Sequence, residues 1–193
     1  EPLFALSERV GGEVHFAGQP LFVVAAGTQA QARAAAARAV IGYAEEPAII
    51  TIDQAMAAES HIQPPYRMAR GDARAAIDAA PRRLAGRIEI GGQEQFYLEG
   101  QIAVAFPGED DEVHIVSSNQ HPSECQLIVA HVLGVPASAV TVEVRRLGGG
   151  FGGKETQGNL MAAAAALVAK RTGRPAKLRL DRDDDMIVTG KRH

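Results

Sequence analysis

The chain has 193 residues, enough for one domain or two small ones. Its 20 Lys and Arg against 23 Asp and Glu give a net charge of −3, without the basic surplus typical of proteins that bind nucleic acid. Hydrophobic residues make up 46% and charged residues 22%, which excludes an intrinsically disordered chain. The single cysteine indicates a reducing compartment, and the longest apolar run is too short to span a membrane.

The first third of the sequence predicts a small βαβ-like unit. We expect strands at 14–16, 20–26 and 48–52. Thr28 is predicted to cap an Ala-rich helix that ends near Ile41 at Gly42, and Asp53 to cap a short helix to residue 58. The proline-rich segment His61–Arg67 is a linker candidate. The predicted domains are therefore residues 1–67 and 68–193.

The second domain is predicted to contain a helix and three consecutive strands, followed by further helices and strands. Asp72 should cap a helix at 73–80, and Pro122 should begin a helix that Gly134 ends. Strands at 82–90, 95–106 and 112–118 are expected to form an antiparallel meander. Further expected elements are a strand at 140–146, a helix at 155–170 ended by Gly173, a strand at 177–180 and a turn at 181–185. This order predicts an α+β fold.

A glycine-dense loop, Gly148–Gly153, lies between a predicted strand and a predicted helix. Its glycines let backbone N–H groups approach a ligand, and the helix start adds unpaired donors and partial positive charge. The loop therefore favours an anionic or oxygen-rich ligand over a simple tight turn. It also matches, letter by letter, a dinucleotide fingerprint and most of a phosphate-binding loop ending at Lys154. The fingerprint lacks its acidic partner, and Glu155 stands where the phosphate loop needs Ser or Thr.

Glu155 and Gln93 are the polar candidates beside these glycines. A carboxylate in the first turn of a helix is favoured by about 0.3–1 kcal/mol, which by itself could explain Glu155; the alternative is a carboxylate aimed at a ligand. Gln93 follows two glycines, so its amide could donate to an oxygen of a ligand, or it could simply be a solvated hairpin residue.

Four stretches together resemble the xanthine oxidase family of molybdopterin hydroxylases, and within it the molybdenum-binding subunits of xanthine dehydrogenases. They are GGQEQFYLE (91–99), SSNQHPS (117–123), RRLGGGFGGKET (145–156) and TGRPAKLRLDRDDDMIVTGKRH (172–193). HFAGQPLFV (15–23) is similar to the end of the family's α/β hammerhead domain. The resemblance implies that 1–67 is the C-terminal part of that domain and 68–193 the first α+β part of the molybdenum cofactor-binding region. It identifies the chain as a fragment truncated at both ends.

The resemblance also implies roles for individual residues. The family's glutamine at Gln93 hydrogen-bonds an oxygen ligand of molybdenum, and the backbone at Phe151 lies at the apical side of the metal. Gly149, Gly150 and Gly152 line the pterin. The glutamate at Glu155 contacts the purine, whereas aldehyde-oxidising relatives commonly have an apolar residue there. Glu155 therefore favours a purine substrate.

By the same resemblance, the parent enzyme hydroxylates hypoxanthine and xanthine to urate with oxygen from water and passes electrons through Fe–S clusters and FAD to NAD. The general base, the Fe–S clusters and FAD are expected on other segments or subunits, so the fragment alone should be inactive. The parent is expected to be cytoplasmic and dimeric, with no nucleic-acid or membrane partner. The alternatives are a related aldehyde- or heterocycle-oxidising molybdenum hydroxylase, or a nucleotide-binding module using Gly148–Lys154.

Other candidate features have simpler interpretations. The acidic run 181–185 lacks the glycine of a calcium loop, because Met186 stands there, and is expected to be a solvated turn. The six histidines show no metal-ligand spacing. Cys125 lies on an apolar helix face and is expected to be buried rather than nucleophilic. The Ala-rich segments 29–41 and 160–169 are expected to be close-packed core helices.

Overall fold

A computed structural model of the chain describes residues 4–7 and 13–192. The chain divides into two compact units, one that combines Glu1–Ala39 with Ile90–His193 and one made of Val40–Glu89. The domain boundary expected at residue 67 stays a prediction. The mixture of helices with a small sheet confirms the predicted α+β class.

The larger unit begins with an antiparallel pair of strands, β1 (Phe4–Ser7) and β2 (Phe22–Ala25). The strand predicted at 14–16 is wrong, because residues 4–7 take the pairing edge of β2. Helix α1 (Gln29–Ala36) follows, and the Thr28 side chain accepts from the N–H of Gln31 as expected of an N-cap. The helix ends before Ile41, and none of its residues is buried, so the predicted close-packed core is wrong here.

The smaller unit contains α2 (Ile52–Ala57) and α3 (Ala73–Ala79). Asp72 caps α3 as predicted, accepting from the N–H of Ala75. The cap of α2 is Thr51 and not Asp53, because Thr51 and Gln54 form a reciprocal capping box. The strands predicted at 48–52 and 82–90 are wrong, since residues 40–89 contain no strand with which they could pair. An alternating pattern becomes a strand only where another strand offers its edge.

A four-stranded mixed sheet organises the rest of the larger unit. Its strands are β3 (Ile102–Pro107), β4 (Val113–Ser117), β5 (Val140–Glu143) and β6 (Ala176–Arg179), in the spatial order β5–β4–β3–β6. β3 pairs antiparallel with β4 and β6, and β4 pairs parallel with β5. The predicted three-strand meander is therefore reduced to one hairpin. Burial alternates along β3 and β4, as expected for a sheet covered on one face.

Two helices cover the buried face of this sheet. They are α4 (Pro122–Leu133), which ends at the left-handed Gly134, and α5 (Gln157–Thr172), which ends at the left-handed Gly173, as predicted. The run Ala162–Ala166 of α5 is buried, because small side chains let the helix approach β3 closely. Cys125 of α4 is fully buried in the same core, and burial raises the pKa of its thiol to about 11.

The acidic run near the C-terminus forms a helix and not the predicted turn. Helix α6 (Arg182–Val188) begins after Asp181, and Asp185 is 1% exposed within it. Arg33 of α1 forms ion pairs with Asp181 and Asp184 at 2.6 and 2.9 Å. Carboxylates in the first turn are favoured by the helix dipole, which explains why an acidic run starts a helix. Within the described residues, no helix is long and apolar enough to cross a membrane.

Candidate functional site

The glycine loop joins β5 to α5 and contains three residues with positive φ. Gly149 and Gly152 have φ of +94° and +87°, and Phe151 has φ of +53°. The left-handed conformation is open to glycine, whereas for a non-glycine residue it costs about 1–3 kcal/mol and often marks a binding site. The Phe151 side chain is 72% exposed, so burial of its ring in this chain does not offset the strain.

The other three glycines are required by close packing. A Cβ at Gly148 would collide with Glu99, one at Gly150 with Gln120, and one at Gly153 would come within 2.6 Å of the Tyr97 ring. A Cβ at Gly152, in contrast, would meet no atom within 4 Å. The loop is therefore packed against the protein on one side and open on the other.

Hydrogen bonds anchor both ends of the loop and leave the backbone N–H groups at its centre without a partner among the described residues. The N–H of Gly148 donates to Glu99 Oε2 at 2.8 Å. The N–H groups of Gly152 and Lys154 both donate to Gln120 Oε1 at 3.1 Å. Among the described residues, the N–H groups of Gly149, Gly150 and Phe151 have no hydrogen-bond partner.

Successive backbone N–H groups of this kind form an anion-binding concavity. Three free donors in residues 149–151, beside an open position at Gly152, fit an oxygen-rich organic group such as a pterin cofactor. Direct metal ligation by side chains has no support in the described residues, where no cluster of three His, Cys, Asp or Glu side chains is found. The loop is thus suited to hold a cofactor through its organic part.

Lys154 is fully buried behind the loop. Its Nζ donates to Ser118 Oγ at 2.7 Å and to Glu99 Oε2 at 3.1 Å, and it lies 4.7 Å from the centre of the Tyr97 ring. Burial lowers the pKa of Lys154, and the carboxylate of Glu99 opposes that shift. Since a phosphate-loop lysine must reach the ligand, this geometry argues against the nucleotide-binding alternative.

Glu99 is the acceptor at the centre of this group. Partial burial by itself would raise the pKa of Glu99, but donors from Ser118, Gly148 and Lys154 outweigh it, so the pKa lies below its ordinary value. Glu99 therefore stays ionised and compensates the buried ammonium of Lys154. The arrangement is a buried cation that is both paired and hydrogen-bonded.

A second buried network supports the C-terminal end of the loop. Tyr97 Oη donates to Asp185 Oδ1 at 2.6 Å, and the Gln101 side-chain amide donates to Tyr97 Oη at 2.9 Å and to Gly153 O at 2.8 Å. Asp185 also accepts from the N–H of Gln101 at 2.9 Å. Burial, followed by the hydrogen bond to Asp185, raises the pKa of Tyr97 to about 12. The hydroxyl is therefore a permanent donor at physiological pH.

The residues proposed from the sequence to meet a ligand differ in burial: Gly150 is buried and Gly149 half-buried, whereas the others are exposed, namely Gln93, Phe151, Gly152 and Glu155. Gln93 is fixed through its backbone, which exchanges hydrogen bonds of 2.6 and 3.0 Å with Arg192. Glu155 is exposed and precedes the first residue of α5, so its predicted place in the first helical turn is wrong. In the part of the chain that is described, the side chains of Gln93, Phe151 and Glu155 form no hydrogen bond or ion pair.

The structure joins the two sequence motifs through residues other than those predicted. Tyr97 and Glu99 of the 91–99 stretch contact the glycine loop directly, whereas no contact among the side chains of Gln93, Phe151 and Glu155 is recorded. The roles assigned to Gln93, Gly149, Gly150, Phe151, Gly152 and Glu155 therefore stay predictions.

Sequence reasoning missed the residues that hold the loop from behind. Glu99, Ser118 and Gln120 lay inside stretches chosen for their resemblance, but no spacing rule connects them to the glycines. Asp185 was not recognised because it belongs to an acidic run, a pattern typical of solvated surfaces. The one sequence feature that could have indicated this buried network was a charged residue, Lys154, directly after a glycine-dense loop.

A comparison with family models matches residues 54–193 to the molybdopterin cofactor-binding domain. Among curated proteins, the chain is 45% identical to xanthine dehydrogenase of Drosophila pseudoobscura pseudoobscura over 183 residues, which is 94% of this chain and 14% of that protein. It is 42% identical to aldehyde oxidase 3 of Rattus norvegicus, with the same coverage of both chains. The chain thus spans about a seventh of the length of the curated relatives it matches.

Solved structures of oxidoreductases have the same fold as this chain. Quinoline 2-oxidoreductase of Pseudomonas putida 86 superposes with a TM-score of 0.74 and 25% identity, covering 88% of this chain and 23% of that one. Aldehyde oxidoreductase of Desulfovibrio gigas superposes with a TM-score of 0.72 and 28% identity, covering 89% of this chain and 20% of that one. The α+β arrangement described above is therefore one that solved oxidoreductases share.

Proposed function

Because this chain belongs to the xanthine oxidase family of molybdopterin hydroxylases, we propose that it forms one wall of the molybdenum-cofactor site in a larger subunit that hydroxylates purines. The observation that supports this most directly is the row of three unpartnered N–H groups at residues 149–151, anchored at both ends and open at Gly152. Donors fixed in this way can hold an oxygen-rich group without reorganising when it binds.

Within that site, each exposed residue has a distinct task. The N–H groups of the loop would hold the cofactor, and the Gln93 amide would donate to one of its oxygens. Glu155 accepts a hydrogen bond from an N–H of the purine ring and orients it. When bound, the molybdenum cofactor supplies the oxygen-transfer and two-electron redox chemistry of the site.

The substrate class rests on Glu155. Its side chain is exposed and has no partner within the described chain, so its carboxylate is available to a polar ligand. A carboxylate matches the N–H groups of a purine and would be left unpaired beside an apolar aldehyde. The relatives include a xanthine dehydrogenase and an aldehyde oxidase, and Glu155 favours the former activity.

The same proposal includes the partners of the parent protein. Fe–S clusters and FAD, carried by other segments or subunits, would supply the electron transfer from this site to NAD. The parent is a dimer located in the cytoplasm. By itself, the present chain does not turn over substrate.

The test is to purify the complete subunit that carries this chain and to measure molybdenum and pterin content with substrate preference. We expect molybdenum near one atom per subunit, and a higher kcat/KM for hydroxylation of xanthine than for oxidation of an aromatic aldehyde. Absence of molybdenum, or a bound nucleotide in its place, would overturn the cofactor site. A preference for the aldehyde would retain the cofactor site and overturn the purine assignment.

A further inference from the structure

Glu99 holds the first residue of the glycine loop by two hydrogen bonds. Its N–H donates to Gly148 O at 3.2 Å, and its Oε2 accepts from the N–H of Gly148 at 2.8 Å. A Cβ on Gly148 would collide with the Cβ of Glu99, so the two residues are also in van der Waals contact. Glu99 therefore fixes both the position and the direction of the chain as it enters the loop.

The carboxylate of Glu99 is itself held in place. Its Oε2 accepts from Ser118 Oγ at 2.5 Å and from Lys154 Nζ at 3.1 Å. Lys154 is fully buried, and its backbone N–H is bound at the other end of the loop by Gln120. Through Glu99 and Lys154, one ion pair connects the two ends of the loop.

The three free donors lie between these two anchors. Among the described residues, the N–H groups of Gly149, Gly150 and Phe151 have no hydrogen-bond partner. The carbonyl of Gly150 accepts from the N–H of Gly153 at 2.7 Å, so the direction of the free N–H groups depends on the residues that flank them. The carbonyl of Gly148 and the N–H of Gly149 belong to one planar peptide unit, so a shift of the carbonyl that Glu99 holds would turn that N–H with it. The ion pair between Glu99 and Lys154 is thus placed to influence the direction of the N–H groups at 149–151 without contacting a ligand bound there.

We propose that Glu99, with Lys154 as its buried counter-charge, is a positioning residue that sets the direction of the loop N–H groups toward the molybdenum cofactor. This inference rests on the proposed function. Glu99 contacts neither cofactor nor substrate, and its effect passes through Gly148. The chemistry of the pair is a charge-assisted hydrogen-bond network whose geometry is fixed in advance of cofactor binding.

The experiment uses the complete subunit and compares three variants with the wild type. Glu99→Ala removes the bond to Gly148 and leaves Lys154 unpaired. The double variant E99Q/K154M restores an acceptor for the N–H of Gly148 and removes the buried cation. Val129→Ala is the matched control, because Val129 is fully buried in the core between the sheet and α4 and does not contact the loop.

Two readouts are measured for each: molybdenum content per subunit, and the Mo(V) electron paramagnetic resonance spectrum after reduction with dithionite. We expect Glu99→Ala to lower molybdenum content at least tenfold or to change the spectrum of the retained metal. The double variant should recover at least half of the wild-type content with the wild-type spectrum. Val129→Ala should lower the melting temperature while keeping the wild-type spectrum.

Either of two results would overturn the inference: wild-type metal content and spectrum in Glu99→Ala, or the same losses in Val129→Ala at an equal drop in melting temperature. If Glu99→Ala does not fold, the double variant decides, and a changed spectrum there counts against positioning by hydrogen bond. Absence of molybdenum from the wild type overturns the proposed function and this inference with it. If the wild type contains molybdenum and Glu99→Ala keeps the wild-type content and spectrum, this inference fails while the proposed function stands.

Discussion

The two sides of the glycine loop differ in how their side chains are satisfied. Behind the loop, Lys154 and Asp185 are buried charged residues, and both are satisfied by hydrogen bonds or ion pairs to neighbouring residues. Phe151 and Glu155 are exposed in and beside the loop, and Gln93 is exposed in the 91–99 stretch. The polar side chains of Gln93 and Glu155 make no such bond within the described chain. The comparison indicates that the back of the loop maintains structure and that the front is available for a ligand.

The largest expected effect tests the front. In the complete subunit, Glu155→Ala should lower kcat/KM for xanthine by about 100- to 1000-fold, or about 2.7–4 kcal/mol, because it removes the carboxylate proposed to accept a hydrogen bond from the purine and to orient it. Molybdenum content and melting temperature should stay at wild-type values. Unchanged turnover would contradict the role proposed for Glu155. A large drop in melting temperature would indicate that Glu155 maintains structure, as Lys154 and Asp185 do.

The next effect tests the back. In the 193-residue chain, Asp185→Ala should lower the free energy of unfolding by about 2–4 kcal/mol, because it leaves the Tyr97 hydroxyl and the Gln101 N–H buried without an acceptor. Urea unfolding followed by far-UV circular dichroism measures the change. Asp183→Ala is the control, since Asp183 is exposed in the same helical turn and should cost less than about 1 kcal/mol. Equal losses in the two variants would contradict the burial argument.

A smaller effect is expected from a single methyl group. Gly150→Ala should cost about 1–3 kcal/mol in the same unfolding assay, because the new Cβ displaces Gln120 and breaks its bonds to Gly152 and Lys154. At Gly91 a Cβ meets no atom within 4 Å, so Gly91→Ala should be nearly neutral. If the two alanine variants unfold at the same urea concentration, the packing of Gln120 against the loop is wrong.

The smallest effect is a pH dependence. Because the pKa of Glu99 is lowered on folding, its contribution to stability is present above the ordinary value of 4.5 and is lost as pH falls through the lowered folded value. Below pH 4.5 the wild type should therefore lose stability more steeply than Glu99→Gln. Added salt should reduce the difference, since the Glu99 side chain is 38% exposed. Parallel curves for the two proteins would contradict the lowered pKa.

Short-range chemistry made the helix ends predictable. Asp72, Pro122, Gly134 and Gly173 each determine a terminus through groups within one turn, and the structure confirms all four. The alternating segment 82–90 carries an equally clear pattern but forms no strand, because strand formation depends on an edge that the local sequence does not encode.

The predicted strand at 95–106 shows how the site overrides a local pattern. Strand β3 starts only at Ile102. Before it, Phe96 has a φ of +51°, and Tyr97, Glu99 and Gln101 are engaged by Asp185, Gly148 and the loop carbonyl of Gly153. These partners lie 49 to 88 residues away in sequence, so no periodicity argument could have found them. The glycine loop, Gln93 and Glu155 were candidates from their residue types, but the specific role proposed for each came from the resemblance alone.

The pairing of β6 with β3 has a consequence for synthesis of the chain. Ala105 of β3 meets Ala176 of β6, so one edge of the sheet stays open until the C-terminal strand leaves the ribosome. Since the ribosome adds about 5–20 residues per second, β6 follows β3 after a delay on the order of several seconds. Asp185 follows β6, and the network behind the glycine loop is completed only then. A nascent chain stalled before residue 185 would therefore present the complete glycine motif anchored by Glu99 and Gln120, but without the Asp185 network that supports Gly153.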